Sequence, residues 1–341
     1  MAKETALELD SALTPPSHAP AWRKMLRMAR AHPLGVFGLF CILVIVFCAI
    51  FADFIMPYDP EAIAVLGEPV KQSPSLDHPF GTDRLGSDTF SRTIFGARIA
   101  LLIGVVSVVL GMTLGSAVGI ASGYFGGLVD SVFQRLIDAL LAFPAIVLLL
   151  AIIAVIGNED SAVRSFLNDT PLPSGTVWGI PNFLDAIIIS MAIGFAIAVG
   201  AARVIRGAVL QLKENVYIEA ARAMGASDFR IMVRHVLPNV AALIVVLATI
   251  FLPIAILAEA AISFLGIGLP SGTPSWGSDM GDESNRLDAI NRGVWWVVFF
   301  PGLALSVVVL GFNLLGDSFR DISDPRLRSG DGSGSASRTG F

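Results

Sequence analysis

Long apolar runs alternate with short polar segments along this chain, and the apolar runs set its architecture. Six stretches of about 18 to 25 residues lack the charge density of a soluble helix, which is the length a helix needs to cross a hydrocarbon layer. They fall near 34–56, 99–123, 136–156, 183–202, 240–266 and 294–315. In lipid each backbone polar group must be satisfied within its own segment, so such runs read as helices. The expected fold is therefore all-α, a polytopic membrane protein with six transmembrane helices. The first run follows a 33-residue polar tail and is too long for the apolar part of a signal peptide, so it is expected to stay as an anchor.

Between the first two runs lies an outer segment of about forty residues, the longest loop, and loops of that length are usually functional. Its last part, "DRLGSDTFSRTIFGARIAL", puts Leu85, Phe90, Ile94 and Phe95 on one face and Arg84, Asp88, Ser91 and Arg92 on another. That pattern predicts a helix lying in the membrane interface. The second run carries Gly111, Gly115, Gly119, Gly123 and Gly127 at a spacing of four. Small residues at that spacing let two helix backbones approach in a solvent that offers no hydrophobic drive for association. The partner helix, in this chain or another, stays open at this point.

Composition agrees with the pattern. The 341 residues are 54% hydrophobic and only 15% charged, above the 45 to 50% apolar share of ordinary soluble domains. The formal charge of -5 conceals an asymmetry. With the N-terminus inside, 16 of the 23 Lys and Arg fall on the inner side, and cytoplasmic segments are the ones that retain such residues. Both termini are expected in the cytoplasm of a multi-pass cell-membrane protein. Cys41 and Cys48 stand seven apart on the first run, about 10 Å along a helix, beyond disulfide reach.

Candidate chemistry is sparse. There is no phosphate-binding loop of the G-x-x-x-x-G-K-[ST] type, so ATP is not expected to bind here. His18, His32, His78 and His235 are scattered without metal-ligand spacing, and no nucleophile arrangement can be assembled, so neither a catalytic nor a metal site is expected. Of the acidic groups in the runs only Glu259 lies well inside, with Asp53, Asp138 and Asp185 near the ends, which argues against a proton relay. Glu259 either lines a polar path or pairs with a neighbouring group. Outside the runs, Pro270, Pro274 and Trp276 make a stiff outer segment, and Trp295 and Trp296 suit an interfacial belt.

The segment "YIEAARAMGASDFRIMVRHVLPN", from Tyr217 to Asn239, is the exception to the apolar theme. Glu219, Ala220, Ala221, Arg222, Ala223 and Met224 favour helix, and Gly225 supplies a stop. Ser227 can cap a second helix, Asp228 suits its positive end, and Pro238 ends it and stands at the opening of the next run. Arg222, Arg230 and Arg234 make the unit basic, while Ala220, Ala221, Met224, Phe229, Ile231 and Met232 leave it apolar surface. It can pack on its own bundle or dock a protein. A DNA-binding helix-turn-helix has a similar Ala-to-Gly turn, but tethering between two spans argues against nucleic acid.

This segment resembles the EAA loop of permease subunits of ATP-binding-cassette importers, through Glu219, Ala220, Ala221, Gly225, Leu237 and Pro238. His235 stands where the broad pattern often has Ile, although "RHVLPN" is similar to the form in dipeptide and oligopeptide permeases. Three further stretches, "HPFGTDRLGSDTFSRTIFGARIAL", "SFLGIGLPSGTPSWG" and "FFPGLALSVVVLGFNLLGDSFRDISDPRLR", resemble the C-type subunit of dipeptide, oligopeptide and nickel importers. The resemblance covers about 34–328; Ser87 departs from it, since many relatives carry Arg there.

The resemblance implies a type I importer permease fold. Its divisions are a cytoplasmic tail over 1–33, the first span and outer loop over 34–97, a five-helix core over 98–317 with the coupling loop at 203–238, and a second tail over 318–341. The implied partners are a homologous second permease, two ATPase subunits that bind ATP and Mg, an extracytoplasmic solute-binding protein, and membrane lipid. Glu219, Ala220, Ala221, Arg222, Met224, Gly225, Arg230, Leu237 and Pro238 would couple the permease to the ATPase. The chain itself is expected to be non-catalytic and to move peptides by alternating access, with nickel, glutathione or opine-like cargo as alternatives. Readings from other classes are an ion-coupled secondary transporter, which would need internal symmetry and mid-membrane charges, and an assembly protein without flux.

Overall fold

The computed structural model describes residues 30, 32–64, 69–158, 160–170, 177–270 and 272–323. The two tails lie almost wholly outside these residues. Among the described residues there is no β-strand, only isolated bridges at Thr82–Asp88 and Val177–Ile180. Five helices among the described residues are long and apolar enough to cross a membrane, or six if one bent pair counts as a single span.

The first span is α1, Pro33–Ile50, followed by the short α2, Ala52–Ile55. Next comes α3, Thr89–Phe125, whose 37 residues rise about 55 Å and so exceed the hydrocarbon thickness of about 30 Å. This corrects the expectation of a separate interfacial helix over 83–101. Asp88 caps α3 by accepting from the Ser91 backbone N–H, and the helix then runs unbroken into the span. The polar face read as facing headgroups is turned into the protein, with Asp88 and Ser91 buried.

The third apolar run is also not one helix. It divides into α4, Gly127–Leu141, and α5, Ala145–Ile156, with a bend of 100° between them. Pro144 lacks a backbone N–H and its ring opposes the preceding helical turn, so the helix breaks there. α4 is amphipathic: Asp130 and Asp138 pair with Arg206 and Arg203, while Leu128, Val132 and Leu136 are exposed.

After α6, Ala162–Asn168, the fourth span is α7, Phe183–Leu212. Helices α3 and α7 form the spine of the molecule, and the glycine row is their seam. A Cβ added to Gly111 would stand 2.7 Å from the Gly194 carbonyl oxygen, one on Gly115 2.9 Å from that of Ala198, one on Gly119 2.7 Å from that of Ala202, and one on Gly123 3.0 Å from that of Arg206. The partner of the glycine face is thus a helix of the same chain. Backbone contact at four levels maximises dispersion where apolar burial from water contributes nothing.

The chain then folds α8, Val216–Ala223, and α9, Asp228–Ile231. A π turn over Met232–Val236 joins α9 to the fifth span, α10, Leu237–Phe264. Here too the sequence expectation needs correcting, since Pro238 does not end the second helix. The Leu237 N–H reaches back five residues to the Met232 carbonyl, and in that widened turn the helix carries on through Pro238. Two short helices, α11, Trp276–Gly281, and α12, Glu283–Arg292, precede the last span, α13, Trp296–Ser323. Ile42, Ala49, Ala100, Ile256 and Val308 gather α1, α3, α10 and α13 into a second core beside the spine.

Arg98 sits at zero exposure between these layers. Its guanidinium donates to both Asp53 carboxylate oxygens at 3.1 and 3.0 Å, to the Ala49 carbonyl and to the Trp178 carbonyl. A charge removed from water is tolerated only when paired and bonded to this degree.

Candidate functional site

The helix-turn-helix between α7 and α10 is built by local rules. Glu219, Ala220, Ala221 and Ala223 favour α8, and Gly225 adopts φ +81°, a left-handed conformation that costs other residues about 1 to 2 kcal/mol. The Ala226 N–H then reaches the Ala221 carbonyl at 3.1 Å and the Gly225 N–H reaches that of Arg222 at 3.0 Å, closing the end of the helix. One residue on, Ser227 Oγ accepts the Arg230 N–H and starts α9.

The unit has a fixed underside and an open top. Ile218, Ala221 and Ile231 are buried in the main core, together with Val236 of the π turn. At the last turn of α3, the Tyr124 hydroxyl donates to Asp228 Oδ1 at 2.6 Å and accepts from Arg222 Nη2 at 3.1 Å. The Arg222 guanidinium also lies over the Tyr124 ring, 5.6 Å from its centre. One side chain of the spine thereby holds both short helices.

On the top face Met224 is 82% exposed and Phe229 is 72% exposed. Glu219, Ala220, Arg222, Gly225 and Arg230 are exposed beside them, and Leu237 and Pro238 at the start of α10 are exposed as well. Ala221 alone among the candidate loop residues is buried. These are two large apolar groups amid charges on an exposed face. His235 is half-buried with its ring 6.4 Å from that of Tyr217, and its carbonyl accepts from Asn239 Nδ2.

Glu259 is placed elsewhere, on the buried side of α10. It is enclosed within the chain and accepts from Ser263 Oγ at 2.8 Å, so of its two readings the geometry matches the pairing.

At the opposite end of α3 the loop over 69–88 is fastened to α11 and α12. Lys71 pairs with Asp288 at 2.6 Å, Arg84 with Asp282 at 3.3 Å, and Arg92 with Asp279 through Nε at 3.0 Å. The Trp276 indole N–H donates to the Thr93 carbonyl and that of Trp296 to the Thr82 carbonyl. Trp296 is therefore no belt residue: it is 7% exposed and braces the loop, whereas Trp295 is 51% exposed. His78 joins the same region, its Nδ1 2.9 Å from Asp88 Oδ1 and its ring stacked on Tyr58.

Tyr124 and the three ion pairs escaped the sequence reading. Tyr124 carried one usable signal, as one of three tyrosines in the chain and the last polar group of its span. The ion pairs carried none, because their members stand about two hundred residues apart.

Comparison with known proteins matches this architecture. The family model described as a binding-protein-dependent transport system inner membrane component covers residues 111–329, and that described as the N-terminal TM domain of oligopeptide transport permease C covers residues 21–76. The chain is 36% identical over 308 residues to the glutathione transport system permease protein GsiD of Pectobacterium atrosepticum, spanning 90% of this chain and 91% of that one. It is 38% identical over 292 residues to a putative peptide transport system permease protein of Brucella suis biovar 1, spanning 85% and 87%. Against the glutathione permease protein GsiD of Shigella boydii serotype 4 the identity is 39% over 307 residues, with 90% of each chain covered. The all-helical architecture is thus the type I importer permease fold, and the chain belongs to the inner membrane components of binding-protein-dependent transport systems, as a permease subunit of an ATP-binding-cassette importer.

Proposed function

We propose that this subunit forms half of a translocation pathway with a homologous second permease, and that the unit 216–231 seats in a groove of an ATPase subunit. Two such ATPases bind ATP and Mg, and their closure drives the permease pair between inward and outward openings. Both termini lie in the cytoplasm on this reading, supported by the 16 of 23 Lys and Arg that fall on that side. A solute-binding protein delivers cargo to the other face. The names of the relatives favour peptides or glutathione as cargo, both of which carry a peptide backbone and an amino terminus.

One observation carries the proposal. Met224 and Phe229 stand exposed on a two-helix unit whose underside is locked by Ile218, Ala221, Ile231 and Tyr124. A groove that grips the top can therefore push on the spine through Tyr124 instead of bending a loose loop. Reconstitution of the full complex in proteoliposomes tests it. Gly225→Trp should abolish ATPase association and uptake, with the permease still inserted. Unchanged association and uptake, or uptake driven by an ion gradient without ATP, would overturn the reading. Calorimetry of the solute-binding protein with glutathione, dipeptides and nickel separates the cargoes.

A further inference from the structure

The passage from the helix-turn-helix into the fifth span carries one residue more than a continuous α-helix accommodates. Ile231, Val236 and Val240 are all buried in the main core, while Val233, Arg234, Leu237, Pro238 and Asn239 are exposed. Val236 and Val240 stand four apart, about 40° from alignment on an α-helix, but Ile231 and Val236 stand five apart, which on an α-helix is about 140°. The π turn over Met232–Val236 removes the discrepancy. It closes over five residues in place of four, through the Leu237 N–H and the Met232 carbonyl, and so returns Ile231 to the face of Val236.

The same sequence holds a second register. Met232, Val236 and Val240 follow one another at the α-helical interval of four, and Met232 is already half-buried against the same core. An unbranched thioether adapts readily to such a place. Were the turn to tighten to α, Met232 would replace Ile231, and the unit 216–231 would rotate by about 100° and shift by about 1.5 Å relative to α10. Met224 and Phe229 would turn with it, and Asp228 would be drawn from the Tyr124 hydroxyl.

Pro238 opposes that register. In an unbroken α-helix its ring would press on the Arg234 carbonyl, four residues back, and leave that carbonyl without a backbone donor. In the structure it stands instead in the first turn of α10, directly after the widened turn. Two side chains brace the exit: Asn239 Nδ2 donates to the His235 carbonyl at 2.6 Å, and the His235 ring lies 6.4 Å from that of Tyr217 on α8, within the range of an aromatic pair.

We propose that Pro238 is a positioning residue that holds the π register, and so fixes the direction in which Met224 and Phe229 face the ATPase, with His235 bracing the turn against α8. The register is a property of this chain alone; its consequence for the ATPase rests on the proposed function.

The register is read first, on the full chain in lipid nanodiscs, by maleimide labelling of Ile231→Cys and, separately, Met232→Cys, with Cys41 and Cys48 changed to Ala. With Pro238 in place, the thiol at 232 should label about tenfold faster than that at 231, since reaction follows exposure. Pro238→Ala should reverse the order. An unchanged order overturns the proposal without recourse to an ATPase. Transmission is read next, as stimulation of ATP hydrolysis by the solute-binding protein in proteoliposomes of the full complex. Pro238→Ala should keep ATPase association within about twofold, because the gripped face loses no side chain, and should lower stimulation about fivefold or more. Deleting the exposed Val233 in the Pro238→Ala chain sets Ile231 four residues from Val236, so that a plain α-helix regains the original facing, and stimulation should return to within about twofold of the unaltered complex. Stimulation unaffected by Pro238→Ala, or lost and not restored by the deletion, overturns the positioning role. A reversed labelling order in a chain whose ATPase association ignores Gly225→Trp would sink the proposed function and leave the register standing.

Discussion

The two ends of α3 are organised on opposite principles. At the Tyr124 end, a polar unit rests on an apolar underside and turns its largest apolar side chains outward. At the Arg92 end, the loop and the short helices turn charge inward and close on one another through ion pairs and indole hydrogen bonds. The first end is assembled from neighbours in sequence, and the second from segments about two hundred residues apart. Local assembly leaves large apolar side chains on the surface, whereas the long-range closure turns its polar groups onto one another.

Four substitutions break or sharpen this contrast, in order of their expected effect on stability. Arg92→Ala leaves Asp279 buried without its counter-ion and should cost about 3 to 5 kcal/mol, read as a lowered thermal midpoint in detergent. Gly115→Val places atoms inside the seam with α7 and should cost about 1 to 3 kcal/mol by overpacking, read by the same melt. Tyr124→Phe removes the bond to Asp228, about 1 kcal/mol, and should weaken ATPase association several-fold in pull-down from nanodiscs. Met224→Ala should change stability by less than about 0.5 kcal/mol, as surface substitutions do, while lowering ATPase association as much as Tyr124→Phe. Equal thermal losses for Arg92→Ala and Met224→Ala would erase the distinction between the two ends.

How much of this was legible in the sequence follows the same division. The apolar runs, the Gly225 turn and the Ser227 cap depend on residues within one or two turns, and each is present in the structure. The break at Pro144 was legible in principle, but a run judged by hydropathy alone passes over a proline that is itself uncharged. Pro238 does open the fifth span as read, but it does not end the second helix, because a π turn carries that helix into the span. Periodicity over 85–95 was real, yet it could not say whether the polar face meets headgroups or Asp279. Trp296 illustrates the same limit: an indole near a span end suits a belt until a carbonyl such as that of Thr82 comes within reach. The candidate loop was readable as a unit, but Tyr124, which holds it, belongs to a helix that ends ninety residues earlier.

The glycine seam between α3 and α7 has a consequence for motion. Two helices whose backbones touch at four levels cannot shift by one turn without driving side chains into the places now kept empty by hydrogen atoms. Sliding is closed to them, so they travel as one piece. Any change of shape that opens one face of the bundle and shuts the other must be taken up outside the pair, by the helices packed around it, and α4 and α5 on the two sides of the Pro144 corner are themselves tied to α7, α4 through Asp130–Arg206 and Asp138–Arg203 and α5 through Leu149 and Ile153.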